Sequence, residues 1–314
     1  MRWSSAVISG LTALFASQAA FATEPEVCKQ VRFSDVGWTD ITATTALVSR
    51  VLKGLGYEPS EELLSVPVTY ASLKNKDVDV FLGNWMPTME ADLKPYLDDG
   101  SVEVITPANL EGAKYTLAVP SYTYDAGLKS FGDIAAFSDE LDGKIYGIEP
   151  GNDGNRLILD MIDQDQFGLK GFELVESSEQ GMLAQVQRAI DRNEAIVFLG
   201  WEPHPMNANL DMKYLAGGDA VFGADYGGAT VFTNVRAGYR QECPNLGVFL
   251  GNLRFTLAME NEVMGAILND GKEANDAAET WLRDNPDAWQ AWLDGVTTFD
   301  GQPGLDAATA SLGL

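Results

Sequence analysis

The sequence of 314 residues is poor in histidine and cysteine, which many catalytic and metal sites use. It has one histidine, two cysteines and no Gly-x-Ser-x-Gly segment that would mark a serine nucleophile. His204 stands between Pro203 and Pro205, whereas a triad needs a nucleophile and an orienting acid around the ring. We therefore interpret His204 as a structural or surface residue. We expect no catalytic residue, no metal site and no cofactor.

Basic residues are scarce as well. The chain has 21 Lys and Arg against 46 Asp and Glu, which gives a formal net charge of -25. Such a field repels nucleic acid and anionic membrane surfaces, so we expect neither as a partner. Most of this acid is interpreted as keeping the protein soluble. After the N-terminal segment, no apolar stretch approaches the length of about 18 residues that a membrane span needs.

The first 22 residues have the pattern of a secretory signal peptide. Arg2 supplies a positive start, residues 6–15 are largely apolar, and Ala20 and Ala22 suit cleavage after position 22. An exported chain with two cysteines is typical of one disulfide, here Cys28 to Cys243, with two free thiols as the alternative. If this bond forms, the chain must leave the first part of the fold and later return to it.

The order of predicted elements indicates an α/β fold. In a first unit, strands at 31–34, 63–68 and 78–82 enclose helices at 41–55 and 70–76. A second unit repeats this plan, with strands at 144–148, 174–175 and 196–199 around helices at 156–163 and 181–190. Residues 246–268 are predicted to be helical, and Asn285 with Pro286 predicts a further helix start.

The two units share a local motif. Residues 80–87 and 197–203 each combine an apolar strand, a glycine, a tryptophan and a proline. Ligands of open α/β sheets bind beyond the carboxyl ends of the strands, so Trp85 and Trp201 are placed to line a cleft from both sides. We expect the chain to cross between the units near 105–115 and 216–232.

Three tryptophans, Trp38, Trp85 and Trp201, follow predicted strands in glycine-containing turns. Large rings on loops expose apolar surface unless something covers them, and an aromatic cage around a quaternary ammonium is one reason to place them there. Half-buried packing is the alternative for each ring alone. Asp40, close to Trp38, would neutralise such a cation and repel the carboxylate of a zwitterion. Alternatively, Asp40 or Thr39 caps the helix that follows.

Five segments carry a resemblance to a known family. They are residues 33–40, 83–87, 113–116, 147–155 and 198–205. In these segments the chain resembles the choline-binding type II periplasmic substrate-binding proteins of ABC importers, which are relatives of the glycine-betaine receptors. The resemblance spans most of the chain after the signal peptide.

The resemblance implies a binding protein, not an enzyme, with two lobes that close on a hinge around a central cleft. Lobe 1 would comprise residues 23–112 and 220–314, and lobe 2 residues 113–219. The implied ligand-binding residues are Trp38, Asp40, Trp85, Tyr115, Asn152 and Trp201. Tyr115 would be the fourth cage wall, Asn152 would bind the hydroxyl of choline, and the disulfide would lie in lobe 1.

The same resemblance implies a periplasmic protein that delivers choline to the membrane permease of an ABC importer. We expect it to act as a monomer. A receptor for glycine or proline betaine is the alternative within the class, although Asp40 disfavours a ligand carboxylate. A secreted enzyme acting on a choline ester and a sensor that hands choline to a receptor domain are the alternatives outside it.

Overall fold

The structure is a computed structural model that describes residues 24–314. The predicted signal peptide, residues 1–22, lies outside the described residues. No helix among the described residues combines the length and the apolar character that crossing a membrane requires.

Within residues 24–314, nine strands form one mixed sheet. Their bounds are β1 Gln30–Asp35, β2 Glu58–Leu63, β3 Val80–Met86, β4 Val102–Pro120, β5 Lys144–Tyr146, β6 Glu173–Val175, β7 Phe198–Glu202, β8 Met212–Tyr214 and β9 Gly228–Arg236. They lie in the order β2-β1-β3-β9-β4-β7-β5-β6, and β8 pairs with β4.

The sheet has two similar halves, which we call the first half (β2-β1-β3-β9) and the second half (β4-β7-β5-β6). In each, a central strand pairs in parallel with two neighbours, and the inner neighbour pairs antiparallel with a long strand. The halves meet where β4 pairs with β9. The predicted repeat and the α/β fold of this class are therefore present. The lobe boundaries stay a prediction, and β4 spans the one placed after residue 112.

Helices flank the sheet. Their bounds are α1 Thr39–Gly54, α2 Val66–Asn75, α3 Glu90–Asp98, α4 Ser121–Asp125, α5 Asp153–Asp163, α6 Glu179–Arg192, α7 Met206–Asn209, α8 Asp219–Phe222, α9 Ala224–Gly227, α10 Tyr239–Glu242, α11 Pro244–Asn252, α12 Leu257–Leu268, α13 Ala274–Asp284, α14 Pro286–Trp289 and α15 Gly304–Leu312. Short 3-10 turns lie at Glu26–Cys28, Phe131–Phe137, Gln166–Gly168 and Gln290–Leu293. α1 carries a nearly continuous buried face and packs against α12, α13 and α15, which the C-terminal third of the chain supplies.

One predicted element is wrong, and a second is interrupted. Residues 63–68 were expected to form a strand, but β2 ends at Leu63 and α2 begins at Val66, because Ser65 takes the N-cap position and Pro67 suits the first turn of a helix. The predicted helix over 246–268 is two helices, α11 and α12, separated by residues 253–256. Thr256 caps the second by accepting a bond from the Met259 amide.

The disulfide between Cys28 and Cys243 is present and joins residues 215 positions apart. Near it, the carboxylate of Glu24 accepts bonds from the backbone amides of Asn245 and Leu246 at the start of α11. The beginning of the described chain is therefore fixed to a segment that follows β9, as the predicted return of the chain requires.

Candidate functional site

A cavity lies near the carboxyl ends of β3 and β7. Eight residues line it: Trp38, Asp40, Trp85, Tyr115, Ile148, Asn152, Asp153 and Trp201. All six residues predicted to bind the ligand are among them. Four of the eight are aromatic, so the lining suits a small ligand with an apolar or cationic head.

Three aromatic walls stand on three strands of the sheet: Trp85 on β3, Tyr115 on β4 and Trp201 on β7. The Tyr115 ring lies between the two indoles, with its centroid 6.1 Å from that of Trp85 and 6.2 Å from that of Trp201. Tyr115 and Trp201 are direct partners in the β4–β7 ladder. Strand pairing thus sets the spacing of the Tyr115 and Trp201 walls.

Trp38 supplies the fourth wall from the N-cap position of α1. Its indole nitrogen donates a 2.8 Å hydrogen bond to Glu149 of the second half, which fixes the ring orientation. Burial raises the pKa of Glu149 to about 7, although this hydrogen bond opposes the shift. Each of the four rings is at most 5% exposed, so a ligand between them would be almost completely removed from water.

Asp40 lies in the first turn of α1 and accepts a 3.2 Å hydrogen bond from the indole nitrogen of Trp85 at Oδ2. Its Oδ1 is buried without a partner in the structure. Burial, and next the nearby Glu179, raise the pKa of the Asp40 carboxyl to about 8. Neither Thr39 nor Asp40 occupies the N-cap position, so the alternative of a capping role is not supported.

Asn152 caps α5, since its side-chain oxygen accepts a bond from the backbone amide of Asn155. The same oxygen accepts a 2.8 Å bond from the hydroxyl of Tyr115. A Cβ on Gly154 would come within 2.2 Å of that hydroxyl, so only glycine lets the start of α5 approach the ring so closely. The start of α5 and the Tyr115 ring are therefore in direct contact, and each limits the position of the other.

Asp153 is a cavity residue that the sequence argument did not select. It is fully buried, accepts a bond from the Asn152 amide group at Oδ1, and has no partner at Oδ2. Burial raises the pKa of Asp153 to about 6. Its place beside Asn152 at the start of a helix is the signal in the sequence that could have suggested it.

The cavity has the chemistry of a cation site. Two carboxyl groups with an unpartnered oxygen, Asp40 and Asp153, face a space enclosed by aromatic rings, and none of the described lining residues is Lys or Arg. Ring faces attract cations that cannot donate hydrogen bonds, and each ring contributes about 0.5–2 kcal/mol, with the larger values for desolvated rings. The unpartnered Oδ2 of Asp153 can accept from a ligand hydroxyl, and the side-chain amide of Asn152, whose oxygen already accepts two bonds, can donate to the hydroxyl oxygen.

Two other groups of side chains do not line the cavity. His204 is buried with its ring 4.9 Å from that of Trp201, so it is a packing residue behind the cage and not a surface residue. Among the described residues, Glu24 comes together with Cys28 and Cys243 in a group that metal ions can use. Because the two sulfurs are bonded to each other, they offer no thiolate to a metal.

Comparisons with known proteins agree with this geometry. The family model for the substrate binding domain of ABC-type glycine betaine transport systems matches residues 29–284. A solved ABC-transporter choline-binding protein in complex with choline is 66% identical, covers 92% of this chain and 100% of its own, and has a TM-score of 0.91.

More distant relatives bind other ligands. The glycine betaine/carnitine transport binding protein GbuC of Listeria monocytogenes is 31% identical over 63% of this chain and 64% of its own length. The lactococcal OpuAC structure with glycine betaine is 27% identical, covers 84% of this chain and 98% of its own, and has a TM-score of 0.76.

Proposed function

We propose that this chain, which belongs to the family of substrate-binding domains of ABC-type glycine betaine transport systems, captures choline in the periplasm and delivers it to an ABC permease. Four aromatic rings would hold the trimethylammonium group. Asp40 would neutralise its charge, and Asn152 and Asp153 would form hydrogen bonds with its hydroxyl.

The observation that carries the choice of choline is the pair of buried acids. A carboxylate ligand such as glycine betaine needs Arg, Lys or several N–H donors. The described cavity lining offers instead two carboxyl oxygens without partners, at Asp40 and Asp153. As carboxylates these groups repel a ligand carboxylate, whereas a bound cation favours their ionised form and its hydroxyl can donate to them. The choline complex of the 66% identical protein supports this choice.

Capture would involve closure of the two halves. Trp38, Asp40 and Trp85 belong to elements around the first half of the sheet, and Asn152 and Trp201 to elements around the second. A ligand between them contacts both sides only when the halves are together, so its binding energy favours the closed state. Closure would then present a defined shape to the permease.

The affinity should be in the micromolar range. Four rings contribute about 2–8 kcal/mol together, and burial of the methyl groups adds to this, against the cost of lost translation and rotation. A dissociation constant of about 1 μM corresponds to about 8 kcal/mol.

Calorimetric titration of the mature protein with choline and with glycine betaine tests the proposal. Choline should bind with at least about tenfold higher affinity. Equal or reversed affinities would assign the chain to the betaine receptors of its family. A parallel incubation with acetylcholine should leave the ester intact, and release of acetate would instead support the choline-ester enzyme.

A further inference from the structure

Glu179, the first residue of α6, has a contact far from its own helix. Its carboxylate accepts a 2.8 Å bond from the backbone amide of Thr39 and a 2.5 Å bond from the Thr39 hydroxyl. Thr39 begins α1, whose first amides have no partner within the helix, and the side chain at its N-cap, Trp38, makes no capping bond. A carboxylate from the second half of the structure therefore caps a helix of the first half.

The capping carboxylate is not needed by α6 itself. Ser178 occupies the N-cap of α6 and accepts a bond from the Gly181 amide. Acidic residues in a first helical turn are normally solvated, whereas Glu179 is only 1% exposed. Burial of a charged group is costly unless its hydrogen bonds are satisfied. The burial of Glu179 is thus explained by its contacts with the other half.

Glu179 is also joined to the wall of the cage. The backbone amide of Met206 donates to Nδ1 of His204, so the ring proton is on Nε2, which lies 3.2 Å from Glu179 Oε1 and donates to it. The His204 ring packs against Trp201. On the other side, Thr39 lies between Trp38 and Asp40. Glu179 therefore connects walls of the cage that come from opposite halves, without lining the cavity itself.

We infer that Glu179 is a closure latch: a positioning residue that caps α1 only when the two halves are closed and thereby retains the ligand. The inference rests on the proposed capture of a ligand by closure. In an open cleft, the amide and hydroxyl donors of Thr39 would be hydrated. In the closed cleft without Glu179, they would be buried and unpaired, which is the costly arrangement. Loss of the latch therefore penalises the closed state specifically.

Other contacts also join the halves, but they are less buried. Trp38 donates to Glu149, and Arg156 contacts Asp92 at 2.9 Å, with about a third of the Arg156 side chain exposed. Water can replace partners at such sites when they are lost. Glu179 lies deeper, so its removal should have the larger kinetic effect.

The test compares Glu179→Ala and Glu179→Gln with Glu173→Ala in the mature protein by stopped-flow tryptophan fluorescence with choline. Glu173 is an exposed glutamate of the second half that makes no side-chain hydrogen bond in the structure, so it is a matched control. The Ala variant should raise the dissociation rate by about tenfold or more and leave the association rate within about twofold. The Gln variant keeps an acceptor oxygen and should fall in between.

A double-mutant cycle with Thr39→Val separates the latch from a general structural role. Because both side chains serve the same contact, the double variant should release choline no faster than Glu179→Ala alone. Additive effects, or a dissociation rate of Glu179→Ala within twofold of the unmodified protein, would overturn the latch.

If the unmodified protein and Glu173→Ala both fail to bind choline, the proposed function is wrong and the latch is judged without ligand. Small-angle X-ray scattering of the ligand-free proteins should then give a larger radius of gyration for Glu179→Ala than for the other two. Identical radii in that experiment would refute the latch.

Discussion

The hydroxyl of Tyr115 donates a 2.8 Å hydrogen bond to the side-chain oxygen of Asn152, which itself caps α5. This bond joins a cage wall on β4 to the residue proposed to receive the ligand hydroxyl. Tyr115→Phe keeps the ring and removes the bond, so choline affinity should fall by about fivefold. Tyr115→Ala removes the wall as well and should cost more than about tenfold.

Calorimetric titration of both variants checks this order. Tyr122→Phe is the matched control, because the Tyr122 hydroxyl bonds to the backbone oxygen of Glu194 outside the cavity. Its choline affinity should not change. Equal losses in the Phe and Ala variants would show that the ring face of Tyr115 does not contact the cation.

Most of this site could be predicted from the sequence because its walls follow strands. Trp85 and Trp201 follow apolar runs, and any α/β sheet places such positions at its ligand-binding edge. Tyr115 could not be selected from the residues alone, since it lies inside the 19-residue strand β4. Pro107 and Gly112 interrupt the strand pattern there, and β4 tolerates them through register shifts against β9.

The contacts between the halves could not be predicted from the sequence. Glu149 and Glu179 are two of 46 acidic residues, and a charged residue at a helix start normally predicts a solvated first turn. Their roles depend on how two parts of the chain more than 100 residues apart are juxtaposed. Likewise, β2 was missed because this edge strand is polar and exposed along most of its length, without the alternation that marks a half-buried strand.

The indole of Trp85 should contribute a large part of the free energy of choline binding. Trp85→Ala removes a desolvated ring face and the N–H donor to Asp40, so choline affinity should fall by more than about tenfold. Trp281→Ala is a matched control, because Trp281 is a partly exposed residue of α13 that bonds to Glu262 away from the cavity. Titration of both variants separates cage chemistry from the general loss of an aromatic side chain; unchanged affinity in Trp85→Ala would dismiss the cage.

Choline binding should release a proton. In the empty, closed cavity the pKa of Asp40 is raised from its ordinary 3.8 to about 8, so the carboxyl is largely protonated at pH 7. A bound cation favours the carboxylate, which lowers the pKa of Asp40 in the complex. Affinity should therefore rise with pH between about 6 and 8, by at most tenfold per pH unit, and level off above 8.

Calorimetry at pH 7 in buffers of different ionisation enthalpy measures the number of protons released. Asp40→Asn cannot titrate at this position and should show weaker binding with a clearly smaller rise between pH 6 and 8, because only the titration of Asp153, whose pKa is raised to about 6, then acts on the bound cation. An unmodified protein whose affinity is constant over that range would contradict the proposed contact between Asp40 and the cation.

The disulfide should contribute to stability and not to binding. Cys28 and Cys243 lie 215 positions apart, so their bond restricts the unfolded chain strongly, and neither residue lines the cavity. Replacing both by serine should lower the free energy of unfolding by about 2–5 kcal/mol. Urea unfolding measures this loss, and choline titration at low temperature should give an unchanged dissociation constant. A weakened affinity in folded protein would mean that the bond also positions the cleft.

The two acids of the cavity should differ in what they recognise. Oδ2 of Asp153 has no partner and lies next to Asn152, where the hydroxyl of choline is proposed to bind. Asp40 instead accepts a hydrogen bond from the indole of Trp85 and lies among the aromatic rings. Tetramethylammonium carries the same charge and methyl groups as choline without the hydroxyl, so it isolates the two contributions.

Asp153→Asn should weaken choline by about tenfold and tetramethylammonium clearly less, because a buried hydrogen-bonding contact is lost only for choline. Asp40→Asn should weaken both ligands by similar factors, since it removes only charge. Equal losses for the two ligands in Asp153→Asn would mean that Asp153 acts through its charge alone and that Asn152 receives the hydroxyl.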